Sequence, residues 1–361
     1  MNVNGVAYRS IWPIDQRAVG IIDQTRLPFE FCTLELTDWR AMVTAIASMQ
    51  VRGAPLIGVA AAYGIALALN RDGGDAALER ACGELLASRP TAVNLAWAVQ
   101  RMRARVQPLA RGERSAGAWR EADAIAQEDV AINRSIGSYG SALLAQLHAR
   151  KAGPVNVLTH CNAGWIATVD YGTALSSVYL AHDAGVPLHV WVDETRPRNQ
   201  GLLTAWELSA HGVPHTLIAD NAGGHLMQHG EVDIVLVGAD RVGRGGDVCN
   251  KIGTYLKALA ARDNSVPFYV AVPSPTIDWE LGDAVREAPI EQRAASELRV
   301  VHGLDRHGRR ASVELAPPEA AVANPAFDVT PARLVTGLIT ERGIAAPADL
   351  ACLFPEAVAT G

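Results

Sequence analysis

The sequence predicts an α/β protein in which a doubly wound parallel sheet follows a mainly helical region that opens with a small β flap. Three observations carry this. Five short β-branched runs beyond residue 153 alternate with helical segments. Residues 37–150 instead repeat apolar side chains every three or four positions, and glycine and proline stand at the joints between runs. Strands that alternate with helices in chain order form a parallel sheet with right-handed crossovers.

Residues 7–34 hold two short apolar stretches, around Ile11-Trp12 and over 18–22, which suit a hairpin or small sheet. From Thr37 the pattern is helical, with Trp39, Met42, Val43, Ile46 and Met49 on one stripe. Arg52-Gly-Ala-Pro55 then opens an uncharged run to Asn70, with Pro55 placed where a first helical turn tolerates proline. That run barely reaches the length a bilayer needs and contains a proline, three glycines and a tyrosine, so a buried helix is expected, not a membrane span.

Beyond Gly153, strands are expected at 155–159, 188–192, 215–218, 234–237 and 268–272, each apolar on both alternations as in a sheet covered on both faces. Helices are expected at 173–184, 202–211, 224–229 and 253–262. Gly185, Gly212 and Gly230 follow helices, and Pro154, Pro187, Pro214 and Pro267 precede strands, the punctuation of short connecting loops. The chain divides on this reading into a helical domain with its flap (1–150), a sheet domain (151–345) and a tail (346–361).

A length of 361 residues with 49% hydrophobic and 19% charged side chains excludes a disordered or collagen-like chain and allows two domains. The 32 Lys+Arg are outnumbered by 38 Asp+Glu, so no chain-wide basic field exists to hold nucleic acid, although a local anion site stays open. Five scattered cysteines read as free thiols, and the first residues lack the charged-then-apolar order of a secretory signal. A cytoplasmic location is the expectation.

In a sheet of this kind ligands bind outside the carboxyl ends of the strands. Those ends fall at Thr159-His-Cys-Asn-Ala-Gly164, Asp193-Glu-Thr-Arg196, Asp220-Asn221, Gly238-Ala-Asp240-Arg241 and Pro273-Ser-Pro275. Cys161 is either an apolar filler or a functional thiol, since the amides of the following glycine turn and the helix beyond can lower a thiol pKa or bind an anion. Asp240 ends the most apolar strand, where poor solvation raises a carboxyl toward the range useful for proton transfer; its bland reading is a turn cap or a partner of Arg241. Gly243-Arg-Gly-Gly-Asp-Val-Cys-Asn-Lys251 reads as an anion-binding loop leading into a helix, although it fits no nucleotide fingerprint. Arg52 beside a helix start is a phosphate site or a capping turn, and Arg89-Pro-Thr-Ala-Val-Asn94 is a similar case. The pairs His211/His215 and His225/His229 lack the glutamate of a His-Glu-x-x-His site, and no metal is assigned.

Together, Arg52-Gly-Ala-Pro55, Arg89-Pro-Thr-Ala-Val-Asn94, Thr159-His-Cys-Asn-Ala-Gly164, Glu194-Thr-Arg-Pro-Arg-Asn-Gln200, Gly238-Ala-Asp240, Gly246-Asp-Val-Cys-Asn-Lys-Ile-Gly-Thr254 and Asn324-Pro-Ala-Phe-Asp-Val-Thr-Pro331 resemble the methylthioribose-1-phosphate isomerase family of methionine salvage. The match runs from about residue 8 to residue 344; the loop 242–246 departs from it in being richer in glycine. The resemblance implies a helical N-terminal domain, a Rossmann-like C-terminal domain, no metal or organic cofactor, and a homodimer. It implies Cys161 and Asp240 as catalytic pair, with Arg52, Gly53, Ala54, Arg89, Gln200, Asn250 and Lys251 binding a small sugar phosphate. The expected reaction moves a hydrogen from C2 to C1 after ring opening, by proton transfer or hydride shift. Related readings are an isomerase of 5-deoxyribose 1-phosphate or ribose 1,5-bisphosphate, or a non-catalytic regulatory subunit like those of the translation-initiation nucleotide-exchange factor. Neither nucleic acid nor membrane is expected as a partner.

Overall fold

The computed structural model describes residues 1–3 and 5–358. The flap is a three-stranded antiparallel sheet of β1 (Ile11–Ile14), β2 (Ala18–Ile22) and β3 (Thr33–Leu36), with β2 central and wholly buried. Five helices follow: α1 (Trp39–Ala47), α2 (Ala54–Arg71), α3 (Asp75–Ser88), α4 (Val93–Val106) and α5 (Arg114–His148). The uncharged helix α2 is buried from Pro55 through Leu69 because α1, α3, α4 and α5 pack around it, as a helix apolar on every side requires. At 35 residues α5 is roughly 52 Å long and reaches from this bundle to the sheet. There Gly137 and Gly140 let it lie directly on Ser176 and Ser177.

The chain next alternates as β4 (Val155–Thr159), α6 (Ala174–Asp183), β5 (Leu188–Asp193), α7 (Gln200–His211), β6 (His215–Ile218), α8 (Ala222–Gln228) and β7 (Ile234–Val237). A hairpin of β8 (Arg241–Gly243) and β9 (Val248–Lys251) intervenes before α9 (Thr254–Asp263) and β10 (Phe268–Ala271). After these come β11 (Ile277–Asp278), a second hairpin of β12 (Val300–Leu304) and β13 (Arg310–Glu314), β14 (Phe327–Thr330), β15 (Gly337–Thr340) and β16 (Gly343–Ala345). The main sheet has the order β16-β15-β10-β7-β4-β5-β6, parallel except for β16. From β4 the chain builds outward through β5 and β6, then crosses to β7 and builds the other way. The strand order therefore reverses between β4 and β7, and the crevice above such a switch point is where ligands enter this class of sheet.

Three expectations are corrected. The sheet has seven strands, not five, because the short segments from Gly337 to Ala345 extend one edge. Strand β6 is not covered on both faces: it is the opposite edge, and Thr216 and Leu217 are exposed. The stretch from Gly243 to Lys251 does not run straight from a loop into a helix; it is the turn and second strand of the β8–β9 hairpin. That hairpin belongs to a separate four-stranded sheet, β11-β8-β9-β14, in which Asn250 and Lys251 pair with Asp328 and Phe327. The glycine-rich tip serves packing, since a Cβ on Gly246 (φ +84°) would meet Pro347 at 2.4 Å. Leu350 and Phe354 of the final segment are buried, and Phe354 packs on Trp279 with ring centroids 5.8 Å apart.

Candidate active site

A cleft of about 640 Å³ lies over the carboxyl ends of β4 and β7, roofed by the start of α2. All nine residues singled out in the sequence line it: Arg52, Gly53, Ala54, Arg89, Cys161, Gln200, Asp240, Asn250 and Lys251. They reach it from four places. Cys161 and Asp240 follow the two strands flanking the reversal, Arg52 to Ala54 and Arg89 come from helix ends of the bundle, Gln200 begins α7, and Asn250 and Lys251 end β9.

Gly53 closes the turn before α2 with φ +101°, a conformation that side chains avoid, and a Cβ there would lie 2.4 Å from the Ala167 carbonyl oxygen. This close approach brings the α2 N-terminus, with its unpaired amides, against the segment after β4. Arg52 is buried and fixed from three directions: Nε donates to Gln24 Oε1 at 3.0 Å, Nη1 donates to the Asn162 carbonyl at 3.4 Å, and Nη2 donates to Asn162 Oδ1. Burial lowers its pKa, but a guanidinium starts so high that it stays charged. Lys251 donates to the Ala326 carbonyl at 3.0 Å and stands 4.6 Å from the centre of the Phe327 ring, which leaves ammonium protons for a ligand. Arg89 pairs with Glu291 at 2.9 Å, yet its buried Nε has no partner among the described residues; nor has the buried Gln200 Oε1. Buried polar atoms without partners are costly, and here a bound ligand is what can satisfy them.

Asp240 and Cys161 are open to the cavity yet enclosed by protein. No described residue donates a hydrogen bond to the Asp240 carboxyl; only its backbone is tied, the amide donating to the Cys249 carbonyl at 3.0 Å. Burial pushes that carboxyl above its ordinary value, opposed by the cations Lys251, Arg89 and Arg52. Of the two readings of the thiol, a lowered pKa is not what the surroundings favour. Burial pushes Cys161 up, and the nearby cations Lys251 and Arg52 only moderate this. The local amides do not prevail because the residue is enclosed in the same pocket as the carboxyl.

Several contributors were not singled out in the sequence. Glu207, in the middle of α7, is 1% exposed and accepts from the amides of Trp165 and Ile166, from Asn162 Nδ2 at 3.1 Å and from the Tyr179 hydroxyl at 2.6 Å. It thereby orients Asn162, which orients Arg52. The only hint was an acidic residue on an otherwise apolar helix face. His160, Asp193 and Asp220 form the one group among the described residues with metal-like spacing. Three of its atoms are already engaged: His160 Nδ1 lies 2.8 Å from Asp193 Oδ2, Nε2 lies 2.8 Å from the Ile252 carbonyl, and the Lys257 ammonium sits 3.1 Å from the same Asp193 oxygen. A lysine in that position fits an internal ion pair, not a metal.

A second cavity of about 1100 Å³ adjoins the cleft across Met49, Arg52 and Gln200. Its walls include Leu27, Phe29, Leu202 and Leu203, and the β12–β13 hairpin covers it. Arg198, which lines it, pairs with Glu297 at 2.7 Å, a carboxylate shared with Arg293.

The model of the initiation factor 2 subunit family matches residues 50–347. The methylthioribose-1-phosphate isomerase of Gluconobacter oxydans is 60% identical over 99% of each chain. Among solved structures, the 5-methylthioribose 1-phosphate isomerase of Pyrococcus horikoshii is 38% identical with a TM-score of 0.82, covering 98% of this chain and 97% of that one. The translation initiation factor eIF-2B subunit delta from A. fulgidus is 40% identical with a TM-score of 0.79, covering 98% of this chain and all of that one.

Proposed function

Since this chain belongs to the initiation factor 2 subunit family and, within it, to the methylthioribose-1-phosphate isomerases of methionine salvage, we propose that its cleft isomerises 5-methylthioribose 1-phosphate with Asp240 and Cys161 at the reacting carbons. One observation carries the reading: the crevice at the strand reversal joins a carboxyl and a thiol, both with pKa values raised by burial, to the three cations Arg52, Arg89 and Lys251.

The phosphate fits the positive end of α2, where backbone amides and the Arg52 guanidinium converge and Lys251 and Arg89 add charge. An aldose 1-phosphate is locked as a ring, so the C1–ring oxygen bond must break first. A carboxyl whose pKa is raised by burial is suited to give that oxygen a proton as the bond breaks. The C2 hydrogen then moves to C1, and the Asp240 carboxylate takes the proton of the C2 hydroxyl as the ketone forms. One proton is given and one recovered, so the group is ready for the next turnover. Burial raises the pKa of the Cys161 thiol, a direction that disfavours it as a base toward a carbon-bound hydrogen and supports a hydride shift beside it.

Leu27, Phe29, Leu202 and Leu203 of the adjoining cavity offer apolar contacts to a methylthio group on C5, although Arg198, paired with Glu297, and Arg310 line the same cavity. Turnover on 5-methylthioribose 1-phosphate, 5-deoxyribose 1-phosphate and ribose 1,5-bisphosphate tests this. The first is expected to have the highest kcat/KM, by about tenfold or more, for the apolar contacts of the thioether. Preference for the bisphosphate would overturn the assignment, and no turnover on any of the three would favour a non-catalytic role.

A further inference from the structure

We propose that Thr195 is a positioning residue for Cys161, its buried hydroxyl holding the Cys161 peptide in the left-handed conformation that sets the thiol in the cleft. The inference rests on the reading of Cys161 as a residue at the reacting carbons, and it adds a residue in contact with neither substrate nor phosphate.

Two strained residues meet here. Cys161 has φ +70° and Thr195 has φ +62°. A β-branched side chain at positive φ is an outlier that persists only where its surroundings enforce it, and glycine or asparagine would adopt the same backbone at less cost. Thr195 is nevertheless fully buried, with no surface role to account for it. What threonine brings is its hydroxyl, and both of its functions are used. Oγ1 accepts the Cys161 N–H at 2.8 Å and donates its own proton to the Asp193 carbonyl at 3.0 Å. On the other side of the same residue, the Thr204 hydroxyl donates to the Cys161 carbonyl at 2.8 Å. Cys161 is thus held at its N–H and its C=O by two hydroxyls from the neighbouring strand-end and helix.

Thr195 is itself fixed in turn. The Asp220 carboxylate accepts the amides of Thr195 at 2.7 Å and Arg196 at 2.8 Å, which fastens the turn after β5 to the turn after β6. Because β4 and β5 are paired, with Thr159 opposite Val192, the Thr195–Cys161 bond spans adjacent strand ends. Without it, Cys161 can relax from its left-handed conformation, and the thiol moves relative to Asp240 and the cations while the sheet below is untouched.

Three variants separate a positioning role from a merely structural one: Thr195→Val removes the hydroxyl at constant shape, Thr195→Gly removes it and also relieves the strain, and Thr195→Ser retains it. For each, kcat and KM on 5-methylthioribose 1-phosphate are measured together with thermal stability and the rate at which iodoacetamide modifies Cys161, read by peptide mass spectrometry. For Val and Gly, kcat is expected to fall by about tenfold or more with KM within about threefold, and the alkylation rate to change by about fivefold; Ser is expected to restore both to within about threefold. If the valine variant fails to fold, the glycine variant carries the test. A folded Thr195→Gly protein with kcat and Cys161 alkylation within about twofold of wild type would overturn the proposal. Full turnover by Cys161→Ala would instead remove Cys161 from the reaction, a separate failure, while the alkylation rates still report whether Thr195 sets the thiol.

Discussion

Replacing Gly164 by alanine adds one methyl group at the point where the cleft is braced from behind. The backbone there, φ −92° and ψ −169°, accepts any residue, so the whole effect is one of packing. The new Cβ would lie 1.7 Å from Glu207 Oε2 and 2.5 Å from its Cδ. To reach ordinary contact at 3.4 Å, the carboxylate must withdraw by about 1.7 Å (3.4 minus 1.7). That displacement breaks its short bonds from the Trp165 amide (2.9 Å) and the Tyr179 hydroxyl (2.6 Å), both made by the same oxygen. Losing two buried hydrogen bonds to a carboxyl costs about 3–6 kcal/mol at about 1.5–3 kcal/mol each. Against a total stability of about 5–15 kcal/mol this is a large fraction. Urea unfolding measures it directly, and kcat/KM should fall as well, because Glu207 holds Asn162 and Asn162 holds Arg52. In a Glu207→Ala background the same glycine change should cost less than about 1 kcal/mol, since nothing remains to collide with. A Gly164→Ala protein within about 1 kcal/mol of wild type would refute the bracing role assigned to Glu207.

Burial pushes the Asp129 carboxyl up to about 7 from an ordinary 3.8, so the folded chain holds a proton that the unfolded chain releases. Its contribution to stability is full below pH 3.8 and is lost as pH rises toward about 7; Asp129→Asn should flatten this part of a plot of urea midpoint against pH, and an unchanged slope would contradict it. Arg52→Lys keeps the charge but not the fork that engages Gln24 and Asn162 together, and KM should rise by about tenfold or more with a smaller change in kcat; KM within about twofold of wild type would deny Arg52 a role in binding phosphate.

Much of this was legible in the sequence for local reasons. The runs at 155–159, 215–218 and 234–237 coincide with β4, β6 and β7 because β-branched residues between proline and glycine breaks fix strand bounds locally. The strand ends carried Cys161 and Asp240, and the sheet brings both to the rim of one cleft. What was not legible depends on partners distant in sequence. Val248–Lys251 reads as loop because its ladder is completed by Phe327–Thr330, and Gly337–Thr340 is too short and glycine-flanked to announce an edge strand. Glu207 looks like an ordinary helix residue until the segment after β4 folds onto it. The direction of the Cys161 shift likewise depends on how many elements close over the thiol, which no neighbouring residue reveals.

The most direct test is the turnover of 5-methylthioribose 1-phosphate by Asp240→Asn, a variant that keeps the shape of the side chain but cannot give and recover a proton. The expected result is a folded protein whose KM is little changed and whose kcat is lower by about 10²–10⁴, the usual contribution of a positioned acid–base group. Turnover near the wild-type rate would contradict the assignment of proton transfer to Asp240.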